Sequence, residues 1–410
     1  MNSATTRTVE AVWRIESARL VGALARTVHD VALAEDLAQD ALVAALEQWP
    51  ESGVPDNPGA WLMAVAKRRA VDRVRREVTL ERKLEQMSRE LPTGVDPVED
   101  TEFDRHVTDD VLRLMFTACH PVLAPEARVA LTLRMVAGLT TEEIARAFVV
   151  QTSAMAARIT RAKKALSAAG VPFEVPVGDE LAERLPSVLE AVYLLFNEGY
   201  TATAGSAWTR PTLCAEAMRL GRMVAALSPE PEVLGLVALM EIQASRLGAR
   251  VDAKGEPVTL LDQDRTRWDR LLITHALDCL IRAGDVPGPY LIQAQIAACH
   301  ARAARAEDTD WTAIADRYGE LVELTGSPIV ELNRAVAISM ADGPQAGLAI
   351  VDTLLDVPAL ASYHLLPSVR GDLLAKLGRN AEARAEFDRA ASLTSNEAER
   401  ALLLARVAEL

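Results

Sequence analysis

A set of cations with no acidic neighbour lies between Thr152 and Leu166. Its members are Arg158, Arg161, Lys163 and Lys164. Apolar residues recur beside these cations at helical spacing, which predicts a helix with one apolar side and basic residues on the others. Guanidinium and ammonium groups on such a helix can bind the phosphates and base edges of DNA. The stretch therefore indicates a nucleic-acid-binding helix, although a solvated basic face is the simpler interpretation of the same pattern.

A second, shorter helix is predicted directly before the basic one. Thr140 and Glu143 have the spacing of a capping box, which marks a helix start, and Ile144 and Phe148 would face a core. The pattern then breaks over residues 149–151. Two short helices joined by a tight break, with a basic second helix, are typical of a helix-turn-helix whose second helix enters the major groove.

Another basic stretch follows the loop over residues 50–58, which is rich in turn-forming residues. Arg69, Arg73 and Arg76 follow one another at helical spacing and form a stripe. Six cations and two acids between residues 66 and 77 give a net charge of +4. We predict a second nucleic-acid surface here. Trp61 could stack on a base, although a tryptophan at a helix start is more often part of a core.

The composition predicts an all-α protein. Half of the 410 residues are hydrophobic and 4% are aromatic, which favours packed helices over sheets. The net charge of −14 is unevenly distributed, at −2 over residues 1–168 and −12 over residues 169–410. The acidic total therefore does not exclude nucleic acid as a partner of the first part.

Several functional classes lack support in the sequence. No apolar run is long enough for a membrane span and no signal peptide is recognisable, so we expect a cytoplasmic protein without membrane contact. The four cysteines are far apart and lack the spacing of a disulfide framework or a zinc site. Because we find no nucleotide-binding loop, nucleophile elbow or metal pair, we expect no enzyme activity, no metal and no cofactor.

The motifs, in this order, resemble an ECF-type (extracytoplasmic function) member of the sigma-70 family. AEDLAQDALVAAL resembles the family's core-binding helix, and NPGAWLMAVAKRRAVDRVRRE resembles the segment that opens and reads the −10 element. The helix-turn-helix resembles the domain that reads the −35 element. The stretch from Leu112 to Lys164 is similar to the subgroup with a long C-terminal extension. The resemblance implies a promoter-specificity subunit of RNA polymerase, with core polymerase and promoter DNA as partners.

The resemblance also implies three sets of binding residues. Core polymerase would be bound by Asp36, Gln39, Asp40, Val43 and Glu47. The −10 element would be bound by Trp61, Lys67, Arg68, Arg69, Arg73, Arg75 and Arg76. The −35 element would be bound by Thr152, Ser153, Ala154, Ala157, Arg158, Arg161, Lys163 and Lys164. Two positions depart from the family pattern, because Val149 stands where a glycine is common and Ala157 where glutamine is expected.

The domain order follows from these assignments. We expect residues 1–78 to form region 2, residues 79–108 an acidic linker, and residues 109–170 region 4. We expect residues 180–300 to form a helical domain of unknown function, and residues 301–410 to form tetratricopeptide-like helical repeats that could bind a protein or peptide segment. Between residues 79 and 110, ten acids and four cations give a net charge of −6, so the linker could imitate nucleic acid in the polymerase channel.

Two details of the C-terminal extension allow simple structural interpretations. The segment Asn197–Tyr200 resembles a signature of the subgroup, but Gly199 also predicts a helix C-cap in the left-handed conformation. Asp262, Asp264 and Asp269 alternate with arginines, which predicts a solvated ion-pair face. We further predict that the acidic extension contacts the sigma domains, either to cover their basic helices or to hold them in a competent arrangement.

Two alternatives to a sigma factor remain open at the level of the sequence. The first is a stand-alone DNA-binding regulator that does not engage polymerase. The second is a helical enzyme or ligand sensor, which would need a closed pocket with convergent polar groups within residues 181–300.

Overall fold

The computed structural model describes residues 3–28, 30–70, 103–148, 150–200, 211–251, 258–394 and 397–410. These residues form α-helices and short 3₁₀ helices, and no β-strand occurs among them, which confirms the all-α prediction. The chain divides into two compact units, Met1–Val224 and Ala225–Leu410. Over the same described ranges, no helix has the length and apolar character needed to span a membrane.

The first unit contains nine helices among its described residues. They are α1 (Ser3–Val28), α2 (Val31–Ser52), α3 (58–70), α4 (Phe103–Ala118), α5 (Pro125–Met135), α6 (Thr141–Ala147), α7 (Thr152–Ala168), α8 (Asp179–Tyr200) and α9 (Pro211–Leu227). The last of these crosses the boundary between the units. Helices α1 to α3 correspond to the predicted region 2, and α4 to α7 correspond to the predicted region 4.

The second unit continues as a chain of helices. They are α10 (Pro231–Ser245), α11 (Arg270–Ala283), α12 (Pro289–Arg302), α13 (Trp311–Thr325), α14 (Pro328–Ala341), α15 (Pro344–Thr353), α16 (Leu365–Lys376), α17 (Asn380–Leu393) and α18 (Glu397–Glu409). From α12 onward each helix packs against the next along the chain. Sequential packing of this kind is typical of helical repeats. The tetratricopeptide assignment itself stays a prediction.

Local capping interactions set the helix boundaries of region 2. Asp30 caps α2, because its side chain accepts a hydrogen bond from the Leu33 amide at 2.9 Å. Asn57 caps α3 in the same way, accepting from the Ala60 amide at 3.0 Å. Each cap satisfies an amide that the first helical turn leaves unpaired. Trp49 of α2 is buried, and its ring meets Trp61 of α3 edge-on at 5.3 Å.

Helix α4 forms the centre of the first unit. Leu114, Met115 and Phe116, at successive positions of this helix, are fully buried. Three successive helical residues point in different directions, so their burial requires neighbours on several sides of α4. These neighbours include α1, α5 and α8. Part of region 2, most of region 4 and the first helix of the extension therefore share one core.

The predicted left-handed cap at Gly199 is wrong. Gly199 is a buried residue of α8 and is absent from the glycines with positive φ. A Cβ at this position would lie 2.8 Å from the Cys214 amide nitrogen and 2.9 Å from the Cys214 sulfur. The position lacks a side chain because α8 and α9 approach closely there, and the backbone conformation itself is ordinary.

The predicted ion-pair face around residues 262–270 is also wrong. Asp264 and Asp269 accept hydrogen bonds from backbone amides, and Asp269 thereby caps α11. Arg265 is buried and donates to the carbonyl oxygens of His300 and Ala303, at 2.8 and 2.9 Å. The alternation of charges reflects capping and one buried guanidinium, because short polar side chains satisfy helix ends as readily as they form ion pairs.

Candidate nucleic-acid and polymerase interface

The predicted capping box forms at the start of the helix-turn-helix. The Glu143 carboxylate accepts from the Thr140 amide at 2.9 Å, and the Glu143 amide donates to the Thr140 hydroxyl at 3.1 Å. Gly138, at φ +65°, ends the preceding turn, and the Leu139 amide donates to the Leu133 carbonyl at 3.0 Å. These interactions fix the direction in which α6 leaves α5. Both α5 and α6 pack against α7.

Helix α7 has one buried side and one broad exposed side. The buried residues are Met155, Ile159, Ala162 and Leu166. The exposed residues include Thr152, Ser153, Ala154, Ala157, Arg161 and Lys164, and Arg158 is half-buried beside them. The exposed positions of α7 that precede Arg158 all carry short side chains, so a neighbouring surface can approach the helix backbone closely there. Seven of the eight residues predicted to contact the −35 element therefore lie in and beside one exposed face.

Lys163 is the exception among the predicted −35 residues. Its ammonium group bonds to the Glu35 carboxylate and lies 3.1 Å from a carboxylate oxygen of Asp36. The side chain is only 16% exposed. Lys163 is thus directed toward α2 and not toward the exposed face of α7.

The five predicted polymerase-binding residues lie along the outer side of α2. Asp36, Asp40, Val43 and Glu47 are exposed, and Gln39 is half-buried among them. The large apolar side chain of Val43 is 48% exposed. A mixed acidic and apolar strip of this kind suits a protein partner better than DNA, since carboxylates repel phosphates.

The structure places four of the seven predicted −10 residues. Lys67 and Arg68 are exposed on α3, and Arg69 pairs with Asp40 of α2 at 3.4 Å. Trp61 is half-buried, with its ring edge-on to the ring of the buried Trp49 at 5.3 Å, and its assignment to the −10 element stays a prediction. Arg73, Arg75 and Arg76 lie outside the described residues.

One charged cluster was not anticipated from the sequence. Glu35 is 2% exposed and lies between two cations, Lys163 of α7 and Arg134 of α5. The Arg134 Nε donates to the carboxylate at 2.9 Å. On the next turns, the Ser167 hydroxyl donates to the Asp30 carboxylate at 2.9 Å. This region 2–region 4 junction, formed by Asp30, Glu35, Asp36, Arg134, Lys163 and Ser167, joins α2 to α5 and α7.

The extension begins with a helix that contacts region 4. Arg128 of α5 donates to the Ser187 hydroxyl of α8 at 2.8 Å and lies 3.9 Å from the Glu190 carboxylate. Val188 and Val192 on the same helix are buried. Helix α8 therefore contacts region 4 through α5, as predicted for the extension, and leaves the outer face of α7 exposed within this unit.

The geometry defines a helix-turn-helix protein in which a second group of helices, α1 to α3, packs against the helices of the motif. Family models match the two sigma regions and part of the extension. The sigma-70 region 2 model matches residues 14–79, the sigma-70 region 4 model matches residues 113–166, and a family of unknown function (DUF6596) matches residues 184–284. The chain belongs to the ECF branch of the sigma-70 family, with a C-terminal extension, and it is an RNA polymerase sigma factor.

Comparison with curated proteins agrees with this assignment. An uncharacterized protein of Rhizobium meliloti (strain 1021) is 46% identical over 390 residues, which cover 93% of this chain and 91% of the relative. The probable ECF RNA polymerase sigma factor SigI of Mycobacterium tuberculosis is 28% identical over 172 residues, 41% of this chain and 57% of that protein. The ECF RNA polymerase sigma factor SigK of a Mycobacterium species (strain KMS) is 35% identical over 130 residues, 30% of this chain and 62% of that protein. No solved structure matches the chain.

Proposed function

We propose that this sigma factor divides its work among three surfaces. The outer side of α2 binds core polymerase, and the basic residues from Lys67 onward bind the opened −10 strand. The exposed face of α7 binds the −35 element. The protein then acts by binding and positioning alone, in the bacterial cytoplasm where polymerase meets promoters.

The observation that carries this proposal is the two-sided character of α7. Its apolar residues are used in the core, while Arg161 and Lys164 stay exposed beside short side chains. A helix that enters the major groove needs an outer face of this kind, with small residues near the bases and cations within reach of phosphates. A helix in an ordinary helical hairpin also needs a solvated side, but nothing requires that side to lack acidic residues.

We further propose that the extension supports region 4 instead of covering its DNA-binding face. Helix α8 packs on α5, which also packs against α7. The Arg128 side chain connects α5 to α8 through the Ser187 hydroxyl, and it also donates to the Leu123 carbonyl, just before α5, at 2.8 Å. This arrangement favours the second of the two roles considered for the extension, in which it holds the sigma domains in a competent arrangement. A protein or peptide ligand for the repeat-like end finds no specific support.

The test is salt-titrated promoter binding, together with run-off transcription, by purified core polymerase and full-length protein carrying Arg161→Ala or Arg158→Ala. We expect either change to weaken promoter binding by about 1–3 kcal/mol if the side chain contacts a base, or to lower the salt dependence if it contacts a phosphate. Arg19→Ala, at an exposed position on α1 outside the three proposed surfaces, is the matched control and should leave affinity unchanged. Wild-type affinity and an unaltered salt dependence in both arginine variants would refute the assignment of α7 to the −35 element.

A further inference from the structure

The outer side of α7 has a central row of residues that faces directly away from the core. The buried side of the helix is formed by Met155, Ile159, Ala162 and Leu166. Each residue of a helix is rotated by about 100° from the one before it, so Ala157 and Lys164 lie most nearly opposite that buried side. Ser153 precedes Ala157 by one turn, Arg161 follows it by one turn, and all four residues are exposed. A surface that docks on α7 therefore meets Ala157 at the middle of this row.

The side chains of α7 can form only some of the hydrogen bonds that identify bases. From Thr152 to Ala168 the sequence contains no asparagine, glutamine, aspartate or glutamate. In the major groove, adenine is identified by an amide side chain, cytosine by a carboxylate, and guanine by arginine or lysine. The amide nearest to α7 in the sequence belongs to Gln151, which precedes the helix as its N-cap and lies to one side of the row. The helix thus has side chains for guanine and lacks them for adenine and cytosine.

The short side chains of the first half of α7 provide a different means of identifying a base. Thymine is the base that presents a methyl group in the major groove, and an alanine methyl group can contact it. Two methyl carbons touch only within about 4 Å, so the helix backbone must come close to the base edge. The exposed positions of α7 before Arg158 carry only alanine, serine and threonine, and they permit this approach. The N-terminal residues of a recognition helix are also the ones that contact base edges.

We propose that Ala157 determines part of the promoter specificity by packing its methyl group against the methyl group of a thymine in the −35 element. This inference rests on the proposed binding of α7 to that element. Arg161 lies about 6 Å further along the helix axis, close to two base-pair steps of duplex, where it can donate to the acceptors of a guanine. The contacted bases are then thymine and guanine, and adenine and cytosine occur as their pairing partners.

A selection experiment identifies the sequence that the factor binds. Random-sequence duplexes, long enough to hold both promoter elements, are selected for binding to core polymerase that carries the full-length protein. The upstream of the two enriched blocks is the −35 element. We expect this block to contain at least one thymine at a fixed position, together with a guanine.

Replacement of single thymines by deoxyuridine tests the methyl contact itself. Deoxyuridine keeps every hydrogen-bonding group and the pairing with adenine, and it removes only the methyl group. Wild-type holoenzyme should bind one of the substituted duplexes about fourfold more weakly, as expected for the loss of one buried methyl group. Holoenzyme with Ala157→Gly should bind the thymine and deoxyuridine forms of that duplex equally.

Ala156→Gly is the matched control for the glycine variant. Ala156 is also exposed, but it is rotated by about 100° from Ala157 and lies at the side of the row. The substitution has the same chemistry and the same cost in helix propensity. Holoenzyme with Ala156→Gly should keep the fourfold difference between the thymine and deoxyuridine duplexes.

Three results would overturn the thymine contact. They are an upstream block without thymine, equal binding of wild-type holoenzyme to every thymine and deoxyuridine duplex, and a fourfold difference that persists in Ala157→Gly. Arg161→Ala distinguishes these results from a failure of the proposed function. Weaker binding by Arg161→Ala without a deoxyuridine effect refutes the thymine contact alone. Unchanged affinity and salt dependence in Arg161→Ala, again without a deoxyuridine effect, would mean that α7 does not bind the −35 element.

Discussion

Lys163 and Lys164 are adjacent in the sequence and have different environments in the structure. Lys164 is exposed on the outer side of α7, whereas Lys163 reaches the buried carboxylate of Glu35. One position along a helix rotates a side chain by about 100°, which is enough to exchange a solvent-facing position for a contact with α2. A contiguous basic cluster in the sequence therefore contains two kinds of cation, one available to DNA and one engaged within the protein.

This difference predicts different responses to the same substitution. Lys163→Gln should lower the free energy of unfolding of the first unit by about 1–3 kcal/mol, because the buried Glu35 loses one of its two cationic partners. Lys164→Gln should change stability by less than about 0.5 kcal/mol and reduce the salt slope of DNA binding by about one. Urea denaturation and salt-titrated binding measure the two quantities. Equal stabilities for the two variants would show that the Glu35 contact contributes little in solution.

His300 of α12 should make the stability of the second unit depend on pH. Burial, reinforced by the neighbouring charges of Arg246 and Arg265, lowers the pKa of His300 from 6.5 to about 4. The folded protein therefore holds this imidazole neutral, while the unfolded chain binds a proton below pH 6.5. The free energy of unfolding therefore does not depend on this group above pH 6.5. It decreases as the pH falls from 6.5 toward 4, by up to about 3 kcal/mol.

The measurement is thermal unfolding of wild-type protein and His300→Gln between pH 7 and pH 4.5. The variant should be less stable at pH 7, because it disturbs the packing against Trp311, where the two rings meet edge-on at 5.2 Å. It should nevertheless lose less stability on acidification than the wild type. Parallel pH profiles for the two proteins would mean that His300 titrates normally in the folded state.

At the scale of elements, sequence patterns located the helices that carry function. The Thr140–Glu143 capping box gave the start of α6, and helical periodicity placed the polar residues of α2 on one exposed side. These features depend on residues within a few positions of each other. The burial of Glu35 could not be predicted in this way, because its partners Arg134 and Lys163 lie 99 and 128 positions further along the chain.

The structural roles of two glycines could not be predicted from local sequence patterns for the same reason. Gly22 and Gly199 are both helical residues that allow a second helix to approach, Asp110 of α4 in one case and Cys214 of α9 in the other. A local pattern can propose a turn or a cap for a glycine, but it cannot identify a distant helix that fills the space of the missing side chain. The assignment of the exposed residues of α2, α3 and α7 to particular partners also stays a prediction.

Because α8 packs on α5, we expect two C-terminally truncated proteins to differ sharply in stability. A protein ending at residue 224 keeps α8 on α5, whereas one ending at residue 170 exposes the apolar surface of region 4 that α8 covers. We expect the longer protein to retain the helicity and thermal stability of its helices and to bind promoter DNA in complex with core polymerase. The shorter protein should be markedly less stable, since Val188, Val192 and Leu195 are buried and each such side chain contributes about 1.5–3 kcal/mol. Similar unfolding midpoints for the two proteins would remove the supporting role proposed for α8.

At the scale of the whole molecule, the boundary between sigma factor and extension differs from the boundary between compact units. The family of unknown function begins at residue 184, but the first unit continues to Val224 and includes α8 and most of α9. The beginning of the extension is therefore part of the core around region 4. Residues 169–410 carry a net charge of −12, and most of their acidic residues lie beyond residue 224. A change in promoter binding on removing only residues 225–410 would then reflect charge and partner contacts, since the core of the first unit stays complete.

The length of the chain between α3 and α4 limits how far region 2 and region 4 can separate. If region 2 and region 4 separate on the promoter, the chain between them must span most of the distance between the −10 and −35 elements. Deleting residues 79–98 leaves a connection that reaches about 40 Å at full extension, well short of about 85 Å, the length of the roughly 25 base pairs between the elements. A protein with residues 79–102 in scrambled order keeps the length, composition and net charge, and is the matched control.

Footprinting of the initiation complex should show both elements protected with the scrambled protein. With the deletion it should show only one, because the duplex must then bend strongly or one contact must be given up. Full protection of both elements by a folded deletion protein would mean that promoter binding does not need the two regions to separate, and it would favour a factor whose two regions stay in contact on DNA.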